Sequence, residues 1–182
     1  DGSEVDSHSI PSTASIRDLI SNGSISEAER ECKKVLSMKD SPEVIAILGY
    51  IANQKNQHRE AVDFCTQASK AGFSDWSNEY IAGLSYRALN LIDEAIHCLE
   101  EGNRLSPARI DCAEALLQML VLNGDIPLCL ERYAEIGKLL PDEAQQNQWP
   151  AIGYSLLGEK VKNLDGSEVD SHSIPSTASI RD

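Results

Sequence analysis

The sequence predicts an all-α protein assembled from helical hairpins that follow one another at a fixed interval. Three observations carry that prediction. Residues 47–62 (ILGYIANQKNQHREAV) and 81–96 (IAGLSYRALNLIDEAI) align at a shift of 34, pairing Gly49 with Gly83, Asn56 with Asn90, Glu60 with Glu94 and Ala61 with Ala95. Leu, Ile, Tyr and Cys recur at three- and four-residue spacing, the mark of amphipathic helices. No segment alternates apolar and polar residues as a half-buried strand does.

The elements follow in chain order. Residues 1–11 are polar and Ser-rich and predict an N-terminal extension. Ser12 is placed to cap a first helix with Ile16, Leu19 and Ile20 on one face. The following stretch, SIRDLISNGSISEAERECKKVL, fits the same pattern one residue out of phase, with Gly23 at the turn and Ala28 at the small position. Ser26 with Glu29 three residues on predicts a capping box. Ser41-Pro42 and Ser106-Pro107 each put a hydroxyl before a proline, a helix-start signal. A further shift of 34 places Gly124 under Asn90, Cys129 under Ala95 and Pro141 under Pro107. Residues 143–164 keep helical composition without the repeat's marks. They predict a capping helix, broken or kinked by Pro150, whose Trp149, Ile152, Tyr154, Leu156 and Leu157 seal the last hairpin.

Across residues 12–142 this pattern resembles the tetratricopeptide repeat (TPR), a 34-residue helix-turn-helix with small residues at set positions. Gly49 and Gly83 match its position 8, Ala28, Ala61 and Ala95 its position 20, and Pro107 and Pro141 its position 32. The resemblance implies a right-handed α-solenoid of about four units with a C-terminal capping helix. Leu117, Cys129 and Gly102 depart from the family's pattern and imply looser or shifted packing where they sit.

Bulk properties exclude several function classes. The chain has 182 residues, 41% hydrophobic and 25% charged, as ordinary globular proteins do. Its formal charge is −13, from 29 acids against 16 bases, with no Lys/Arg cluster. Nucleic acid and anionic membrane surfaces are therefore not expected partners. No run approaches the roughly 18 apolar residues of a membrane span. The sequence shows no signal peptide, and its lack of an initiator Met predicts a fragment or a processed form.

Five cysteines occur without a CxxC pair, and Cys32, Cys65 and Cys98 recur at a shift of 33. That spacing predicts equivalent buried thiols, no disulfide or zinc site, and a cytoplasmic setting. His58 and His97 are not at metal-ligand spacing, and no phosphate loop, dinucleotide fingerprint or catalytic carboxylate pair is present. The reading is of a non-enzyme without cofactor or metal. Asn22-Gly23-Ser24 is a glycosylation sequon of little weight beside the reduced thiols.

Stacked helix pairs offer a concave face lined by the first helix of each pair. By resemblance, an extended peptide or partner helix would lie there against Tyr50, Asn53, Gln54, Tyr80, Leu84, Arg87 and Gln118. Asn53, Gln54 and Gln118 would meet its backbone, and Arg87 an acid. The charged clamp by which some TPR proteins hold a C-terminal carboxylate falls on Ala46, Tyr50, Ile81, Asp111 and Ala115, so such a ligand is not implied. The function expected is a protein–protein interaction scaffold. The alternatives are a secretion-type chaperone for apolar client segments, or the TPR region of a larger glycosyl- or methyltransferase.

Residues 1–18 (DGSEVDSHSIPSTASIRD) recur letter for letter as residues 165–182. The copy stops short of the Leu-Ile that completes the first helix's apolar face, so by itself it predicts a flexible segment. Two ordered roles are open to it, lying in a groove through Val169, Ile174 and Ile180 or replacing the first helix beside another molecule. The latter would make a homo-oligomer. A third reading gives it no role.

Overall fold

The computed structural model describes residues 10–158. Residues 1–9 of the expected extension, residues 159–164 of the capping segment and the copy at 165–182 lie outside the described residues. The described chain is helical, without a strand: α1 (Thr13–Ser21), α2 (Ile25–Met38), α3 (Pro42–Gln54), α4 (His58–Lys70), α5 (Trp76–Ala88), α6 (Ile92–Leu105), α7 (Ile110–Leu122), α8 (Ile126–Gly137), α9 (Asp142–Gln146) and α10 (Gln148–Leu157). Two compact units, Asp1–Ser85 and Tyr86–Asp182, divide the chain within α5 and are described separately.

Within each pair α1/α2, α3/α4, α5/α6 and α7/α8 the connection is three residues long. Its middle residue has positive φ: Gly23 (78°), Asn56 (59°), Asn90 (59°) and Gly124 (79°). The hydrogen bonds repeat as well. Ser24 N donates to Leu19 O, Gln57 N to Ala52 O, Leu91 N to Tyr86 O and Asp125 N to Leu120 O, all at 2.8–3.0 Å. These are six-to-one closures, which satisfy otherwise orphaned helix-end carbonyls and require a left-handed residue. Gly and Asn are the residues that reach that conformation at least cost, which explains why they align from one hairpin to the next.

In the first unit the core gathers Ile16, Ala28, Cys32, Val35, Val44, Ile47, Leu48 and Ile51, with Leu19, Ile20 and Tyr50 packed against it. Burial of each large aliphatic side chain contributes about 1.5–3 kcal/mol. Gly49 allows α3 to press on α4: a Cβ there would stand 2.7 Å from Cys65 Sγ. Ser12 Oγ caps α1 by accepting from Ser15 N at 3.1 Å, and Ser41 Oγ caps α3 by accepting from Val44 N at 3.4 Å. The expected capping box at Ser26 does not form, because α2 begins at Ile25 after Ser24 and places Ser26 inside the helix. Glu29 instead accepts from Lys33 (2.6 Å) and from Lys55 (2.9 Å), which ties α2 to the end of α3. Those two ammonium groups hold its carboxyl below the usual range.

In the second unit Ala95, Leu99, Cys112, Leu116, Leu117, Met119, Leu120 and Cys129 are buried. Leu117 and Cys129, two of the residues that depart from the repeat pattern, sit together, with Cys129 Sγ donating to Leu117 O at 3.7 Å. Cys98 is only half-buried and does not occupy the equivalent buried position. Ala61 and Ala95 are related by a shift of 34, so the buried counterpart of Cys65 is Leu99, and a recurrence at 33 falls one place short. Ser106 is not a helix N-cap either: it is the C-terminal cap of α6, and Arg109 N donates to its carbonyl at 3.1 Å, closing a turn through Pro107 before α7 starts at Ile110.

The C-terminal stretch is helical in two segments. Pro150 is the third residue of α10, where an amide is dispensable, but its ring would collide with the Gln146 carbonyl of a continuous helix. The break accordingly falls at Asn147, between α9 and α10. Trp149, Gly153 and Leu157 form the buried face of α10, while Tyr154, expected to help seal the hairpin, is 39% exposed. Trp149 stacks on Tyr133 at 5.0 Å and 5°. Its Nε1 donates to Tyr133 O (3.0 Å), and Tyr133 Oη donates back to Trp149 O (3.3 Å).

Candidate peptide-binding cleft

A cleft of about 310 Å³ opens in the first unit among α1, α3, Phe73 and the start of α5. Ile20, Ala46, Ile47, Tyr50, Phe73 and Ile81 make its lining mostly apolar. Tyr50 reaches it because residues 47, 50, 51 and 54 share one side of α3, and its ring also leans on the core. The charged lining residues, Arg17 and Glu43, pair with each other at 2.9 Å.

Asn78 is the buried polar residue of the wall, 3% exposed. Its Nδ2 donates to Cys65 O (3.0 Å) and Ser69 Oγ (2.9 Å) on α4. Both amide protons are thereby used and the orientation of the amide is set, while Oδ1 is buried without a hydrogen-bond partner. Val44 holds the same place one repeat earlier, and Cys112 holds it one repeat later, where its Sγ donates to Leu99 O at 3.6 Å. The fold therefore accepts an apolar residue or a thiol at this place in the repeat.

The residues singled out from the sequence are divided between the units. In the first, Tyr50 lines the cleft, together with Ala46 and Ile81, two further positions of the absent charged clamp. Asn53 Nδ2 donates to the fully buried Ser85 Oγ at 2.8 Å. Gln54 is exposed at the end of α3. Tyr80 is half-buried with its ring 6.0 Å from that of Trp76, and Leu84 is half-buried farther along α5. In the second unit Arg87 Nη1 donates to Gln118 Oε1 (3.1 Å), and Gln118 Nε2 donates to Glu114 Oε1 (3.3 Å). Arg87 thus meets an amide within its own unit.

Arg17, Glu43, Phe73 and Asn78 were not among the expected site residues. Asn78 could have been found as the one amide in a column otherwise occupied by Val44 and Cys112.

Among the described residues no group of three or more His, Cys, Asp or Glu is placed to hold a metal ion. No described helix is long and apolar enough to cross a membrane. All five cysteines are thiols, and burial pushes those of Cys32 and Cys129 up to about 11.

Residues 80–109 match the family described as Tetratricopeptide repeat. Among solved structures, MamA 41-end from Desulfovibrio magneticus RS-1 is similar at a TM-score of 0.60 and 20% identity, over 68% of this chain and 71% of that one. YrrB, a TPR protein with an unusual peptide-binding site, is similar at 0.63 and 17%, over 77% and 73%. A second MamA structure gives 0.63 and 17%, over 77% and 83%. At these identities the likeness is one of fold. A comparison with curated protein sequences finds no match.

Proposed function

We propose, for a chain that carries a tetratricopeptide repeat and has the fold of TPR solenoids, that it is a non-catalytic interaction module gripping a peptide segment of a partner protein. The observation that carries this reading is the cleft of the first unit, with Tyr50, Ile47 and Ile81 on its walls and one self-neutralised ion pair. Apolar lining with few, placed polar groups is what a side-chain-sized ligand site requires. The likeness to a peptide-binding TPR protein supports the same reading by analogy of fold. Five thiols suit a reducing, cytoplasmic setting.

The test is selection of random dodecapeptides on the intact chain, followed by titration of the selected peptides against Tyr50→Ala. Tyr50 is half-buried, and its removal strips a wall of the cleft. The variant should bind roughly tenfold or more weakly, the usual cost of losing an aromatic contact. Selected peptides that bind Tyr50→Ala as tightly as the parent would place the binding surface elsewhere.

A further inference from the structure

We infer that two copies of this chain pair through α10, helix against helix about a two-fold axis. The contact lies in the second unit and stands independently of the peptide-binding reading of the cleft.

The repeat register runs on into α9 and α10. A shift of 34 carries α7 onto residues 144–156 and Gly124 onto Gly158, and both glycines have positive φ, 79° and 58°. α10 also packs on α8 as α7 packs on α6: Gly153 lies against the Tyr133 ring, and Cys112 reaches the Leu99 carbonyl. Together α9 and α10 make a fifth first helix, broken at Asn147, and no second helix follows it among the described residues.

The complete hairpins show what a second helix covers. In α3, Leu48, Gly49 and Ala52 are buried, with Gly49 close against Cys65 of α4. In α7, Leu116, Leu117 and Leu120 are 1% exposed or less, and Cys129 of α8 reaches the Leu117 carbonyl. The same places in α10 hold Pro150, Ala151 and Tyr154. Pro150 and Ala151 are only half-buried, and Tyr154 is 39% exposed. α10 therefore presents the face that receives a helix, with a small residue where the backbones come closest, and that face is open.

The chain's next residues are poor cover for it. Second helices bury Ala95, Leu99 and Gly102, then Cys129, Tyr133 and Ile136. A further shift of 34 gives Asn163, Ser167 and Asp170, which would put unpaired polar groups and a carboxylate against an apolar face.

A second copy suits the face in its charge. Residues 144–158 are the longest uncharged run in the chain, so two copies of formal charge −13 can meet there without opposing like charges. The flanks are unlike: Asp142 and Glu143 precede the run, and Glu159, Lys160 and Lys162 follow it, −2 against +1. Antiparallel pairing about an axis at Ala151 sets each acidic flank beside the other copy's basic one, and Tyr154 of each copy over the other's apolar face.

Sedimentation equilibrium of the full chain, from low to high micromolar, tests this. The average mass should rise toward that of two chains. Tyr154→Lys puts a charge on the face from each copy and should weaken pairing roughly tenfold or more, with the parent's far-ultraviolet circular dichroism retained. Ala151→Cys reads the symmetry, because a two-fold sets a residue beside its own copy. Mild oxidation should link that variant into covalent dimers, while the parent, with four of its five thiols buried, stays unlinked.

A parent chain that remains monomeric throughout would overturn the inference. Resistance of the introduced thiol to alkylation in that monomer would identify residues 159–182 of the same chain as the cover instead. Pairing unchanged in Tyr154→Lys would place the contact elsewhere on the surface. Pairing without linkage in Ala151→Cys would overturn the two-fold arrangement.

Discussion

Gly153 is the position where a single added methyl should be most revealing. A Cβ built there would stand 2.6 Å from Tyr133 Cζ and 2.8 Å from Tyr133 Oη. The ring has little room to yield, because it is stacked on Trp149 and its hydroxyl donates to the Trp149 carbonyl. Gly153→Ala therefore has two outcomes open to it. If the ring stays, overpacking costs about 1–3 kcal/mol. If it swings away, a stack worth about 0.5–1.5 kcal/mol and a hydrogen bond worth about 1 kcal/mol are lost. These are alternatives, so either leaves a cost of about 1–3 kcal/mol. Alanine's helix preference over glycine returns about 1 kcal/mol, for a net loss of up to about 2 kcal/mol. Urea unfolding followed by Trp149 fluorescence, in a Trp76→Phe background, measures it directly. In a Tyr133→Ala background the obstacle is absent, and Gly153→Ala should become stabilising. If it stabilises with Tyr133 present as well, the close packing of α10 on α8 described above is wrong.

Two further predictions follow from the turns and the thiols. Asn90→Ala should lower the urea midpoint by an amount equal to part of the about 1–2 kcal/mol that a left-handed residue costs, because the short polar side chain of asparagine relieves that cost locally and a methyl does not, whereas Asn90→Gly should be neutral or better; equal effects of the two would refute a conformational role. Burial raises Cys32 and Cys129 from 9.0 to about 11 and Tyr133 from 10.0 to about 12. The folded chain then keeps protons that the unfolded chain has released, so stability is intact below pH 9 and declines as pH rises from 9 toward 12. Urea midpoints measured from about pH 8 to 11 should fall, and a flat profile would contradict the burial of these groups.

Much of the fold could be read from residue identities because the turns demand particular chemistry. Gly23, Asn56, Asn90 and Gly124 align in the sequence, and each has positive φ in the structure. Helix starts were less legible. Ser26 and Glu29 have capping-box spacing, yet two lysines engage Glu29, one of them from the next helix. Ser106-Pro107 carries a cap signature that a turn uses equally well. Cys98 shows how a recurrence of 33 imitates equivalence when the local interval is 34. In the cleft, Tyr50 was visible as a residue on the exposed side of a first helix. Asn78 was not, because its hydrogen bonds run to Cys65 and Ser69 on the preceding helix, contacts without a local spacing rule.

The connectors divide into two kinds. Those inside a pair always have three residues, while those between pairs have three (residues 39–41), five (71–75) and four (106–109). A residue gained or lost within a helix would rotate everything beyond it by about 100° and turn the apolar stripe away from its partner. A residue gained or lost between pairs changes only the approach to the next pair. The turn inside the hairpin is thus the part that keeps its length, while the helices and the joints between hairpins share out the remaining residues differently from one unit to the next.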